Sequence, residues 1–262
     1  MGLGRDSSQE RDGTITSAWP MRGLDRAKSW SLIGVTVCAF CLVGFFANLA
    51  NSQDGEDELG NWLIYNGTFR FSERWSLFTE GQLRLWEVVS NPNEVLLRAT
   101  PHYDVSPDAM VGLGYVYSHS WPFVDSTTDD AERTENRIYQ QFAIRHKVDR
   151  SGFEHRYRLE QRWLEQGGST DFSSRFRYRL QVTTPLNRET MQAGATFINA
   201  YNEVFINLGH TRSFDQNRLY AAGGYQFTAL ANLQLGLLWQ ARTATDFFRL
   251  QIFYTHNFDW KG

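Results

Sequence analysis

Along most of the chain, apolar and polar residues alternate with a period of two. The pattern is clearest in residues 153–163 and 172–182, where Tyr157 and Leu159 alternate with charged side chains. Because successive side chains of a β-strand point to opposite faces, this period predicts strands with one apolar and one polar face. The two segments form a predicted hairpin whose polar face carries two rows of arginines: Arg156, Arg158 and Arg162, then Arg175, Arg177 and Arg179.

The same alternation recurs between Trp62 and Phe258 in eleven segments, most of them ten to thirteen residues long. Such lengths match the ~9–11 residues that a tilted strand needs to cross a bilayer. Bacterial outer-membrane barrels usually have an even number of strands. We therefore predict an all-β fold, an antiparallel transmembrane β-barrel of twelve strands within a range of ten to twelve. The twelfth strand would lie before Trp62 or inside the eighth segment, residues 191–207.

A secreted β-sandwich or lectin-like binding protein is the soluble alternative, but its strands would be shorter and spaced every ~8–12 residues. The connections between the segments also favour the barrel, because short periplasmic turns opposite longer outer loops are typical of that class. The predicted tight turns are 72–74, 106–108, 149–152, 185–190 and 229–232. The predicted longer or more polar connections are 90–93, 122–135, 166–171, 208–216 and 243–246.

The N-terminal region has the features of an export signal. Basic residues after Met21 are followed by an apolar run at 30–49 and by small residues that end at Ser52, the predicted cleavage site. An uncleaved membrane anchor is the alternative, since the run is long enough to span a bilayer. The predicted divisions are a disordered extension or misassigned start (1–20), a signal peptide (21–52) and an outer-membrane barrel (53–262).

Composition agrees with export to a membrane and excludes several other classes. The chain has 26 Lys+Arg and 29 Asp+Glu, and without residues 1–52, which carry five basic and four acidic residues, the net charge is −4. This balance argues against nucleic-acid binding. Aromatic residues make up 15% of the chain while the mean hydropathy is only −0.45. Both cysteines precede residue 52, so the predicted mature chain has no disulfide.

Charged residues on the predicted inner faces form the candidate functional site. We call them the lumen charge network, and they are also the candidate residues for binding a ligand. Buried charges must be paired or hydrated, so one reading is a network that closes and rigidifies the lumen, giving a structural or surface role. The other is an anion-preferring channel, because arginine clusters recognise carboxylates and phosphates. The network comprises Glu80, Arg84, Arg98, Arg137, Arg145, Arg156, Arg158, Glu160, Arg162, Arg175, Arg177, Arg179 and Glu203.

A second alternative is a lipid-modifying hydrolase, suggested by His119 and Ser120 near the end of the fourth strand. Adjacent residues of a strand face opposite sides, so these two cannot act as base and nucleophile, and we assign no catalytic residue. The acidic loop at 125–135 lacks calcium-loop spacing and is read as solvated. Neither a zinc, Walker nor dinucleotide motif is present, so no metal or cofactor is expected.

Five segments together resemble the DUF2490 family, a family of proposed bacterial outer-membrane β-barrels that is named for having no assigned function. They are residues 62–75, 135–141, 155–162, 175–179 and 214–220. The resemblance covers residues 55–262 and implies fold and location without any catalytic residue. The last strand, ending near Phe258, is similar to outer-membrane assembly signals. The expected partners are therefore the outer-membrane bilayer and its insertion machinery, with a small anionic solute if the lumen conducts.

Overall fold

The structure, a computed structural model, describes residues 59–123, 131–209, 213–243 and 245–260. The predicted extension and signal peptide lie outside them. The regular structure of the described residues is all β, and no helix there could cross a membrane. The strands are β1 (Gly60–Arg70), β2 (Trp75–Leu85), β3 (Pro92–Ser106), β4 (Ala109–Ser120), β5 (Arg133–Val148), β6 (Ser151–Gln166), β7 (Ser169–Pro185), β8 (Thr196–Leu208), β9 (Phe214–Gln226), β10 (Ala231–Arg242) and β11 (Asp246–Asp259).

These strands close into one barrel in chain order, and each consecutive pair is antiparallel. The barrel closes through a parallel pair, β1 and β11, which we call the seam. Across it Gly60 is opposite Arg249 and Arg70 is opposite Asp259. The all-β and barrel predictions are confirmed.

The predicted count of twelve antiparallel strands does not match the structure, which closes with eleven. When neighbouring strands alternate in direction, an odd number forces one parallel pair, and the seam is that pair. β1 is already hydrogen-bonded to β11, so no strand is inserted before it. Within the predicted eighth segment, residues 191–195 form a turn, and β8 begins only at Thr196.

The connections define two ends of the barrel. We call upper the end that holds the connections after β2, β4, β6, β8 and β10, and lower the end that holds the others.

Two predicted connections are wrong. Residues 166–171 contain a two-residue hairpin turn, because Gly167 and Gly168 adopt φ values of 57° and 81°, which a type I′ turn requires. At the lower end, the connection predicted as tight at 185–190 runs from 186 to 195.

The outer face of the barrel is apolar. Large hydrophobic side chains on outward positions are exposed on β1, β3, β4, β5, β6, β8, β10 and β11, among them Leu63, Leu97, Leu113, Ile138, Leu159, Ile198, Leu235 and Tyr254. Gln161 is a polar residue on the outward face of β6, and it exchanges side-chain hydrogen bonds of 3.1 and 3.3 Å with Gln140 on β5. A reciprocal amide pair of this kind satisfies both polar groups without an aqueous partner.

The inner face combines charged residues with two small apolar clusters. One cluster contains Trp62 and Tyr220; the other contains Leu96, Val116 and the fully buried Tyr139. Tyr139 fits because β4 has Gly114 opposite it, where any Cβ would collide with the tyrosine ring. The inward small residues of β4 therefore make room for large side chains from β5.

Candidate functional site: the charged lumen

The thirteen predicted lumen residues lie on the inward positions of β2, β3, β5, β6, β7 and β8. Twelve of them line one or both of the two cavities inside the barrel. The exception, Glu160, has no exposed surface because the arginines around it cover it completely. Arg145 is the most peripheral member, with a side chain 46% exposed near the lower end.

Glu160 is the centre of the charge network. Its Oε2 accepts hydrogen bonds of 3.0 and 2.7 Å from Nε and Nη2 of Arg175, and its Oε1 accepts one of 2.6 Å from Arg177. The guanidinium groups of Arg137 and Arg158 follow at 3.7 and 3.8 Å. One carboxylate thus lies within 3.8 Å of four arginines that β5, β6 and β7 bring together.

Arg177 connects this centre to a second carboxylate. Its Nη2 donates to Glu203 at 2.9 Å, and Glu203 also accepts from Arg156 at 2.7 Å. We call Arg156, Arg158, Glu160, Arg177 and Glu203 the ion-pair layer. Further ion pairs surround it: Glu80 with Arg98 (2.9 Å), Glu135 with Arg137 (2.7 Å) and Arg162 (2.6 Å), Glu154 with Arg145 (3.1 Å) and Arg179 (2.8 Å), Asp215 with Arg175 (2.8 Å), and Glu94 with Arg84.

Aromatic rings supplement the carboxylates. The guanidinium of Arg158 lies 4.1 Å from the ring centre of Tyr139, and that of Arg177 lies 4.3 Å from the ring centre of Phe205. Cations attract the face of an aromatic ring, most strongly where water is excluded. The rings therefore help to hold an arginine population that outnumbers the acidic residues beside it.

The ion-pair layer lies between the two cavities. The upper cavity has a volume of about 640 Å³ and the lower one about 430 Å³. Arg177 and Glu203 face the upper cavity, Arg158 faces the lower one, and Arg156 lines both. The sequence therefore identified residues that converge at the middle of the lumen, although it could not show which cavity each of them lines.

Several inward residues were not predicted, among them Arg218 on β9, Gln240 on β10, and Arg249 and Gln251 on β11. In β11 the signal was available, because Arg249 and Gln251 alternate with the apolar Leu250 and Ile252, and this alternation places the two polar residues on the inner face. In β9 the alternation is obscured, since the inward Tyr220 and Ala222 are no more polar than their outward neighbours.

The hydrolase alternative gains nothing from the geometry. Ser120 lines the upper cavity, whereas His119 is on the opposite face, with Nδ1 3.1 Å from Thr134 Oγ1 and its ring packed edge-on against Trp121. Among the described residues, no group of three or more His, Cys, Asp or Glu side chains could hold a metal ion. Most of the predicted acidic loop, residues 124–130, lies outside the part of the chain that is described.

Fold and lumen together define a closed β-barrel protein with a charged interior. The profile of the family described as "Protein of unknown function (DUF2490)" matches residues 59–251, so the chain belongs to this family. The match extends from the residue before β1 into β11. Neither the curated proteins nor the solved structures gave a match to the chain. Membership therefore places the chain in a family without assigning it an activity.

Proposed function

We propose that this protein is an exported outer-membrane β-barrel whose lumen is closed midway by the ion-pair layer, giving it a structural or surface role. The observation that supports closure most directly is the position of Glu160. It is fully buried at mid-lumen, with four guanidinium groups within 3.8 Å. A conducting channel needs a hydrated path at this level, and the arginines around Glu160 leave its carboxylate without exposed surface, which supports closure.

The distribution of polarity supports the membrane location. An apolar outer face around a charged interior is the reverse of a water-soluble protein and is typical of a barrel in lipid. Aromatic pairs lie toward both ends: Trp75 with Tyr103 (5.0 Å) at the lower end and Trp163 with Phe172 (5.4 Å) at the upper end. Such residues are enriched where a membrane meets water. The bilayer and the outer-membrane insertion machinery are the partners that this location requires.

Moving an ion through the ion-pair layer would require separating pairs that are poorly hydrated. Removing one partner of a buried pair costs about 3–5 kcal/mol, because the other charge is left uncompensated. Arg177 takes part in pairs with both Glu160 and Glu203, so its displacement disturbs two pairs at once. We therefore propose that the lumen does not conduct at rest.

Fractionation and conductance measurements test the two parts of this proposal separately. We expect the protein in the outer-membrane fraction, with a gel mobility that changes on boiling, and no steady conductance when it is purified into planar bilayers. Recovery as a soluble periplasmic protein would refute the location. A steady anion-selective current that Arg177→Ala abolishes would refute closure, with Arg188→Ala in the lower 186–195 connection as the matched control.

A further inference from the structure

The arginine excess of the barrel is concentrated on one side of the ion-pair layer. Twelve arginines and five carboxylates line the upper cavity, against five arginines and three carboxylates in the lower cavity. The whole chain nevertheless has a net charge of −3. The fully buried Glu160 adds only one further negative charge behind the upper wall. The lining of the upper cavity thus carries an excess of positive charge, and a cleft lined by one sign of charge attracts ligands of the opposite sign.

Two residues of the upper wall have polar groups that the protein itself leaves without full partners. Gln251 is 1% exposed, and neither its Oε1 nor its Nε2 has a hydrogen-bond partner among the described residues. Arg218 is half-buried and donates from Nε to Gln240 at 3.2 Å, and among the described residues it forms no ion pair with a carboxylate. Buried polar groups without a partner, such as those of Gln251, are uncommon and call for an explanation.

These groups meet beside one aromatic side chain. The guanidinium groups of Arg84 and Arg218 lie 3.9 and 5.1 Å from the ring centre of Trp62. Gln251 is the direct cross-strand neighbour of Trp62 in the seam. Two guanidinium groups and an amide therefore surround a single indole on the wall of the upper cavity.

We propose that the upper cavity binds a compact anion with two or more phosphate or carboxylate groups, held by Arg218, Gln251 and Arg84. Arginine donates bidentate hydrogen bonds to both kinds of group, and the cavity volume of about 640 Å³ is within the ~300–1,000 Å³ of small-molecule sites. The site rests on the closed lumen of the proposed function, because the ion-pair layer forms its floor. The ligand comes from the aqueous phase, since the strands separate this cavity from the apolar outer face.

Isothermal titration of the purified, detergent-solubilised barrel with inorganic pyrophosphate tests this proposal. At matched ionic strength, we expect wild-type protein to bind pyrophosphate at least about tenfold more tightly than acetate, with citrate similar to pyrophosphate. Arg218→Gln should weaken pyrophosphate binding by about tenfold or more, because a charge-assisted bond is lost. The matched control is Arg70→Gln, which removes an arginine of the lower cavity outside the predicted charge network and should leave binding unchanged.

Wild-type protein that binds pyrophosphate no more tightly than acetate would overturn the proposal, as would an Arg218→Gln variant that binds normally. If Arg218→Gln does not give a folded, heat-modifiable barrel, Gln251→Ala takes its place and should also weaken binding. The conductance measurement tests closure of the lumen, whereas the titration tests the anion site, so the two proposals can fail independently. A silent barrel without pyrophosphate binding refutes only the site, and a conducting barrel that binds pyrophosphate refutes only closure.

Discussion

Glu160→Gln is the sharpest test of the reasoning about the lumen. The substitution keeps the volume of the side chain and removes the charge that Arg175 and Arg177 contact at 2.6–3.0 Å. The glutamine oxygen can still accept hydrogen bonds, but its NH₂ group faces donors and can pair with none of them. Arg137 and Arg158 also lose a negative charge that lies 3.7 and 3.8 Å from them.

The expected loss follows from the number of contacts. Hydrogen bonds to a charged group contribute about 1.5–3 kcal/mol each, and two arginines depend directly on Glu160. Breaking a buried ion pair from one side costs about 3–5 kcal/mol in measured cases. We therefore expect the free energy of unfolding to fall by about 3–5 kcal/mol, while the apolar outer face and the strand register remain unchanged.

Urea titration of the barrel refolded into lipid vesicles measures this change, with tryptophan fluorescence and the heat-modifiable gel shift as independent probes of folding. Glu165→Gln is the matched control, because Glu165 is on the same strand but exposed, and it should shift the free energy by less than about 0.5 kcal/mol. A Glu160→Gln variant within about 1 kcal/mol of wild type would show that Glu160 does not balance these arginines and would refute the account of the ion-pair layer.

Two further substitutions test the faces and the packing of the barrel. Leu159→Arg places a charge on the apolar outer face, which costs about 2–4 kcal/mol near mid-bilayer, and should impair insertion. Its control, Gln181→Ala on the inner face, should insert normally. The heat-modifiable fraction measures both variants, and equal insertion would contradict the assignment of the two faces. Gly114→Ala should lower the free energy of unfolding by about 1–3 kcal/mol, because the added methyl collides with the buried Tyr139 ring. Its control, Gly223→Ala, has open space around it and should be neutral in the same urea titration. Equal midpoints for the two variants would contradict the packing of Tyr139 against Gly114.

Much of the barrel could be predicted from local pattern alone. The alternation in β6 and β7 was enough to separate Arg158 and Glu160 from Leu159, because face assignment needs only the period of two. Gly167 and Gly168 also carried a local signal, since a Gly-Gly pair between alternating strands is typical of a two-residue hairpin. The longer predicted connection there was an error of interpretation.

Other features depend on contacts that no local pattern contains. The seam joins residues nearly two hundred positions apart, and the expectation of an even strand count favoured twelve. Arg218 was missed because β9 alternates tyrosine and alanine with residues of similar polarity. The pairing of each arginine with its carboxylate depends on the register of several strands together. The sequence could therefore give the members of the charge network but not its connections.

The parallel seam has a consequence for the ways in which this chain could be rearranged. In a barrel with an even number of antiparallel strands, the first and last strands leave the sheet at the same end, so a short linker can join them in a circular permutant. Here Gly60, the first residue of β1, lies beside Arg249. Asp259, the last residue of β11, lies beside Arg70, which is about ten residues further along the barrel wall. At ~3.3 Å per residue, the start of β1 and the end of β11 are roughly 33 Å apart, at opposite ends of the barrel wall. A linker joining them would have to cross the apolar outer face or pass through the ion-pair layer.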